Sequence, residues 1–269
     1  MIYLYAHTNF KKNLDSLKRV KVIYEFLTKN GKECEILVND YRAQLMGSEW
    51  GLPLATTIET IKDIDAIAKM DDIVIIDSTE DIEGRVLTYP EKFKKVIYLN
   101  STCKEVEFEG ATIFNLFRDE NIIGYNSQNS KNNKSIFIYG DSDYEKVVLN
   151  NLDKFKGLDL DLYWGVYFFV KYEDELKEVF NEIIESEDYY NIISSYSNIV
   201  TSSIQTAIDA RLNGANVTFW NIKDLDSCKI DFLQNNGIEI VKDSITFGNN
   251  KLEIDLNWNK LLQEILFNV

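Results

Sequence analysis

The sequence predicts an α/β protein made of two Rossmann-like domains facing a cleft, and three observations predict it. Short apolar runs alternate with amphipathic segments along the chain, the pattern of parallel sheets joined by right-handed crossovers. A polar stretch without periodicity, Asn126-Ser-Gln-Asn-Ser-Lys-Asn-Asn-Lys134, interrupts that alternation near its middle and reads as a linker. The length of 269 residues suits two domains of about 130 residues each, or one large one. The expected division is 1–128 and 129–269.

In chain order, Ile2 to Ala6 is an apolar first strand, His7 to Asn13 a polar loop, and Leu14 to Asn30 a helix stopped by Gly31. Glu33 to Val38 reads as a strand, Thr57 to Met70 as a helix, and Asp72 to Asp77 as a strongly apolar strand. Tyr89 to Lys95 reads as a short helix and Val96 to Asn100 as a strand. Beyond the linker, Ser135 to Tyr139 is a strand, Tyr144 to Leu152 a helix, Leu160 to Phe169 a strand and Glu173 to Glu187 a helix. Acidic residues over 173–178 and 182–188 give that last helix a solvated face opposite Val179, Phe180, Ile183 and Ile184. The aromatics Tyr163, Trp164, Tyr167, Phe168 and Phe169 read as packing, and Trp258 to Phe267 as an amphipathic helix placed to pack across the halves.

The most informative segment runs from Ile199 to Trp220: an apolar run, the small residues Thr201, Ser202 and Ser203, a helix, a stop at Gly214, and a second apolar run. A helix that starts on such a turn presents unpaired amides and the positive end of its dipole, which attract an anion such as a phosphate or diphosphate. Thr206 and Asp209 are three apart and share a helix face, so one ligand is placed to meet the turn amides, a hydroxyl and a carboxylate. A carboxylate there suits ribose hydroxyls, because it only accepts hydrogen bonds. The same turn also suits a plain helix cap.

The order Ser203-x-x-Thr206-x-x-Asp209-Ala210-x-x-x-Gly214-x-Asn216 resembles the nucleotide-sugar motif of GT-B glycosyltransferases, with Asp209 in place of Glu and Asn216 in place of Pro. The strand Ile73-Val-Ile-Ile-Asp77 and the turn Gly140-Asp-Ser142-Asp143 are similar to segments of the UDP-sugar hydrolases of pseudaminic acid biosynthesis and of related spore-coat polysaccharide proteins. The resemblance implies a GT-B-like fold, with the nucleotide held by the C-terminal domain and the sugar or acceptor by the N-terminal one. It further implies Gly140, Ser142, Ser202, Ser203, Thr206 and Asp209 around the nucleotide and Asp77 near the sugar, with no metal and no cofactor. The Gly140–Asp143 turn is also explained without any ligand, as a plain helix cap.

Those hydrolases open their first helix with Gly-x-Gly-His-x-x-Arg, where the His is the acid/base. Here the stretch reads Asn13-Leu-Asp-Ser-Leu-Lys-Arg19: Arg19 matches, Ser16 stands in the place of the His, and both glycines are missing. A serine has no basicity near neutral pH, so hydrolysis by that route is not expected. His7, the only histidine, ends the first strand, where doubly wound sheets aim their loops at the ligand; it is one candidate base. Asp15 is the other, although an acid at a helix start is also favoured by the dipole alone.

Composition narrows the partners. A net charge of −15 argues against a nucleic-acid surface, which needs clustered Lys and Arg. It also means that a phosphorylated ligand must be met by local donors. The apolar runs are too short for a membrane span and the N-terminus does not read as a signal peptide, so the expected location is the cytoplasm. Cys34, Cys103 and Cys228 are far apart, contain no C-x-x-C pair and read as reduced thiols. Two functions remain: an enzyme of glycosyl transfer or UDP-sugar hydrolysis acting at an anomeric carbon in cell-surface glycan synthesis, or a non-catalytic nucleotide-sugar-binding subunit. Oligomeric state is not legible.

Overall fold

The computed structural model describes residues 1–9, 13–118, 121–127, 129–167, 172–185, 189–245, 247 and 259–269. The chain forms two compact units. One comprises Met1–Asn9, Ser16–Ile123 and Asn257–Val269, the other Phe10–Asp15 and Gly124–Leu256. The expected strand over 160–169, helix over 173–187 and helix from 258 each run partly outside the described residues.

The first unit is built on strands β1 (Ile2–Ala6), β2 (Cys34–Val38), β3 (Thr56–Thr57), β4 (Ile73–Asp77), β5 (Lys95–Asn100) and β6 (Thr112–Asn115). They form one six-stranded sheet in the order β3-β2-β1-β4-β5-β6, and every ladder is parallel. Parallel sheets bury both faces, which is why β1 and β4 are apolar up to the terminal Asp77 of β4 and have every residue buried. Helices α1 (Asp15–Lys29), α2 (Tyr41–Glu49) and α3 (Tyr89–Lys92) connect them. On one side Tyr5, Ile61, Ile64, Ile76, Tyr89 and Tyr98 share a buried cluster.

The second unit repeats the plan with β7 (Asn132–Ile138), β8 (Asp161–Tyr163), β9 (Ile183–Ile184), β10 (Tyr196–Thr201), β11 (Asn216–Trp220) and β12 (Glu239–Val241). Their order is β12-β11-β10-β7-β8-β9, again wholly parallel. Helices α4 (Glu173–Lys177), α5 (Tyr189–Ser195), α6 (Ile204–Leu212) and α7 (Ser227–Asn235) belong to this unit. Its core is aromatic: the fully buried Trp220 packs edge-on against Phe137 at 5.8 Å and Phe155 at 5.3 Å, and its Nε1 donates to Lys242 O at 3.2 Å. The last helix, α8 (Asn259–Asn268), belongs to the first unit, where Leu261, Leu262 and Ile265 are buried and Lys95 Nζ donates to Asn268 Oδ1 at 2.9 Å.

Several elements differ from expectation for identifiable reasons. The segment read as one helix over 57–70 is strand β3 followed by a 3-10 turn at Ile61–Ala66, fixed by a capping box between Thr60 and Asp63. Its apolar residues Ile58, Ile61 and Ile64 recur every third position, the period of a 3-10 turn. The helix expected from Glu173 ends at Lys177, and the β-branched pair Ile183–Ile184 pairs with β8 instead. The helix expected over 144–152 is replaced by a 3-10 turn at Leu149–Lys154, because Lys146 adopts a positive φ of 57° and Asp143 accepts from Val147 N and Val148 N. Strand β7 starts at Asn132, inside the stretch read as linker. Cys34 is a free, half-buried thiol whose pKa burial pushes up to about 11, against the weaker pull of the N-terminus and Lys32.

Two measurements test this packing. Trp220→Ala should cost about 3–5 kcal/mol in urea unfolding, the range for emptying a large aromatic site. Lys131 Nζ donates to Ile193 O and Tyr196 O at 3.0 Å each, and burial holds its pKa down to about 8. Because the folded pKa lies below the unfolded one, the partly desolvated charge costs stability below about pH 8, and the penalty recedes as pH rises toward 10.5. Wild type should therefore gain stability relative to Lys131→Met between pH 7 and pH 10. An unchanged difference would show that Lys131 is not desolvated.

Candidate functional site

In each sheet the chain order reverses beside the first strand: β2 and β4 flank β1, and β8 and β10 flank β7. Open α/β sheets bind ligands at the carboxyl ends of the strands at such a reversal. Most of the residues singled out from sequence lie at one reversal or the other.

In the second unit a pocket of about 160 Å³ lies beyond the ends of β7, β10 and β11. It is lined by Gly140, Asp141 and Ser142 after β7, Ser202 after β10, Asn221 and Lys223 after β11, and also by Asn13. Gly140 has φ +150°, a conformation that side chains disfavour, and a Cβ there would lie 3.9 Å from Ser203 Cβ. Asp141 is fully buried; its Oδ2 accepts from Leu14 N at 2.9 Å and its carbonyl from Tyr167 N at 2.9 Å. Gly165 passes so close that a Cβ there would sit 2.6 Å from the Asp141 carbonyl. Asp143, the last residue of the turn, caps the amides of Val147 and Val148; burial raises its pKa, with those amides opposing.

Helix α6 starts on Ser203, whose Oγ accepts from Thr206 N at 3.1 Å. Ser203 N donates to Thr201 Oγ1, and Ser202 Oγ donates to Trp220 O at 2.8 Å. Helix geometry leaves the amides of Ile204 and Gln205 without intrahelical acceptors, so the start of α6 keeps a positive pole. Ser203 Oγ also donates to Asp15 Oδ1 at 3.0 Å, and Asn13 Nδ2 donates to Asp15 Oδ2 at 2.6 Å. One of the two candidate bases thus lies within hydrogen-bond distance of the helix cap.

Thr206 and Asp209 share a face of α6, as their spacing predicts, but that face is buried. Asp209 Oδ1 accepts from Tyr125 N and Gln205 Nε2, each at 2.9 Å, and Oδ2 accepts from Tyr189 OH at 2.7 Å. Burial and the neighbouring carboxylate hold Tyr189 well above its usual pKa, so it stays a donor. Asn213 adds bonds to Ser127 N and Tyr125 O, and Gly124 packs so tightly that a Cβ would fall 2.9 Å from Asp209 Oδ1. The carboxylate read as a ribose acceptor is engaged in fastening the segment at Gly124–Ser127 to α6.

The remaining residues meet in the first unit around Asp77 at the end of β4. Arg19 donates to both oxygens of Asp77, from Nε at 2.6 Å and from Nη2 at 2.9 Å, with both side chains buried. Ser16 Oγ and His7 N both donate to the Asp77 carbonyl, at 2.7 and 2.9 Å. The His7 ring reaches Thr79 Oγ1 through Nδ1 at 3.3 Å. Asn221 and Lys223 were not found from sequence, since nothing in their spacing marks them. Among the described residues, no three His, Cys, Asp or Glu side chains are grouped to hold a metal, and no helix is long and apolar enough to cross a membrane.

No protein-family model and no curated protein matches this sequence. Solved structures do. A UDP-GlcNAc 2-epimerase from Neisseria meningitidis bound to UDP-GlcNAc aligns with a TM-score of 0.54 at 11% identity, over 91% of this chain and 88% of that one. The spinosyn forosaminyltransferase SpnP aligns at 0.53 and 11% identity, over 99% and 91%. A putative UDP-N-acetylglucosamine 2-epimerase from Listeria monocytogenes aligns at 0.52 and 11% identity, over 98% and 86%. The likeness is one of fold. Two parallel six-stranded α/β units give this chain a GT-B-like fold.

The Asp209 cluster makes a measurable claim. Asp209→Ala strands three donors, each costing about 1–3 kcal/mol if left unpaired, and should lower unfolding stability by about 3 kcal/mol or more. Tyr189→Phe should cost about 1.5–3 kcal/mol, the scale of a hydrogen bond to a charged group. Wild-type stability of Asp209→Ala in urea would show the carboxylate to be available for a ligand.

Proposed function

We propose that this protein binds a nucleotide sugar and transfers its glycosyl group, with the nucleotide diphosphate at the pocket of the second unit. The observation that carries this reading is the meeting of the α6 start with the Gly140–Ser142 turn at the β7/β10 reversal. Gly140, Ser142, Ser202 and Ser203 surround the phosphates, and Thr206 and Asp209 act from behind by holding α6 in place. The folds it resembles support the ligand class, since one of those neighbours is bound to UDP-GlcNAc. The first unit, with Asp77, Arg19 and Ser16, takes the sugar or acceptor side, and the role lies in cell-surface glycan synthesis in the cytoplasm.

In this reading Asp15 is the base. It removes the proton of an acceptor hydroxyl, the oxygen attacks the anomeric carbon, and the bond to the diphosphate breaks with its electron pair leaving on phosphate oxygen. The helix amides stabilise that charge as it develops. No metal or cofactor enters the scheme. A second reading, hydrolysis with His7 as base for water, is favoured by the half-buried place of His7 at the β1 end and its contact with Thr79.

Nucleotide binding is tested by thermal shift with UDP, CMP, GDP and dTDP: a ligand at a hundred times its dissociation constant should stabilise by about 2.7 kcal/mol. Turnover is tested with UDP-sugars, with and without acceptor hydroxyls. We expect release that depends on an acceptor and falls about 100-fold or more in Asp15→Asn, the usual share of a general base. Acceptor-independent release lost in His7→Ala would establish the hydrolase instead. Binding without turnover in either format would make the protein a nucleotide-sugar-binding subunit.

A further inference from the structure

Among the polar side chains of the pocket that the proposed reaction leaves unused, two come from the loop after β11. Asn221 is 4% exposed, and its backbone N–H donates to Val241 O at 2.8 Å, which fixes the root of the side chain. It lines the pocket, yet its Oδ1 is buried without a hydrogen-bond partner among the described residues. A buried acceptor without a donor is rare in native proteins, and one in a pocket wall marks a place that a ligand donor completes.

Lys223 is the basic side chain of the same lining. Glu145 pairs with it at 3.2 Å, and its ammonium lies 5.6 Å from the centre of the Tyr139 ring. Burial pulls its pKa down, but Tyr139 and Glu145 outweigh that and hold it above the usual lysine value, so it is cationic at neutral pH. Charge then decides what the pocket prefers. A helix start carries about half a positive charge, which suits a single phosphate; a diphosphate brings a second anionic group that needs a full cation. In a chain of net charge −15, that cation has to be local.

We propose that Lys223 and Asn221 make this pocket selective for a diphosphate ester over a monophosphate. The Lys223 ammonium neutralises the outer phosphate, and Asn221 Oδ1 accepts a hydrogen bond from a hydroxyl of the group esterified to it. The proposal rests on the reading of this pocket as a nucleotide-sugar site.

The test is calorimetric titration of the full chain with UMP, UDP and UDP-N-acetylglucosamine. Lys223→Met should weaken UDP and the UDP-sugar about tenfold and UMP less than about twofold, the scale of one charge-assisted hydrogen bond in a half-wet site, and Lys223→Arg should restore most of the loss. Asn221→Leu should weaken the UDP-sugar about tenfold and leave UDP unchanged; Asn221→Ser serves if the leucine variant does not fold. Equal losses for UMP and UDP in Lys223→Met, or no loss in either variant, would overturn the inference while leaving the nucleotide site standing. Wild type binding none of the three would overturn the site itself.

Discussion

Parallel pairing is the constraint on which the rest of this molecule depends. Every ladder in both sheets is parallel, so successive strands are joined by crossovers that return the chain to the end of the sheet at which the previous strand began. All strand-to-helix loops of a unit therefore emerge on one side. The reversal beside β1 and the one beside β7 then separate two of those loops enough to leave room for a ligand. His7, Asp77 and Thr79 meet in the first unit for that reason, and Gly140, Ser202 and Asn221 meet in the second.

Within that frame, the polar interior is organised by two buried carboxylates in different ways. Asp77 takes a forked pair of hydrogen bonds from Arg19, which fixes the start of α1 against the end of β4. Asp209 collects a backbone amide, a side-chain amide of its own helix and a phenol, tying two segments that are distant in sequence to that helix. Such networks stabilise only when every member is satisfied, and the loss of one member is costly. Both carboxylates lie close to a candidate ligand position without being open to it, so they hold the walls of the sites rigid.

The sequence made the buried strands legible because parallel sheets write them as continuous β-branched and apolar runs, as in Ile73–Asp77 and Asn216–Trp220. The α6 unit was equally legible from its small-residue turn and glycine stop. Short connections were not. The three-residue spacing of Ile58, Ile61 and Ile64 sits close enough to helical spacing to be mistaken for it, and Ile183–Ile184 is too short to announce itself as a strand. The candidate site was half visible: Gly140, Ser202 and Ser203 carry a local signature, whereas Asn221 and Lys223 acquire meaning only once β11 is placed beside β10. Asp209 shows the opposite limit. Its spacing from Thr206 correctly gave a shared helix face, but which way that face turned depended on Tyr189 and Tyr125, far off in sequence.

The outermost strands are brief. β3 and β9 have two residues each, β12 three and β6 four. An open sheet margin offers unpaired amides and carbonyls to any extended peptide, and long margins invite strand addition between molecules. Margins this short expose few such groups, too few to seed a templated ladder. The acidic surface adds mutual repulsion to that blunt geometry. Colloidal behaviour at high concentration should therefore be governed by charge, with salt and pH as its levers, and not by the sheets on which the fold is built.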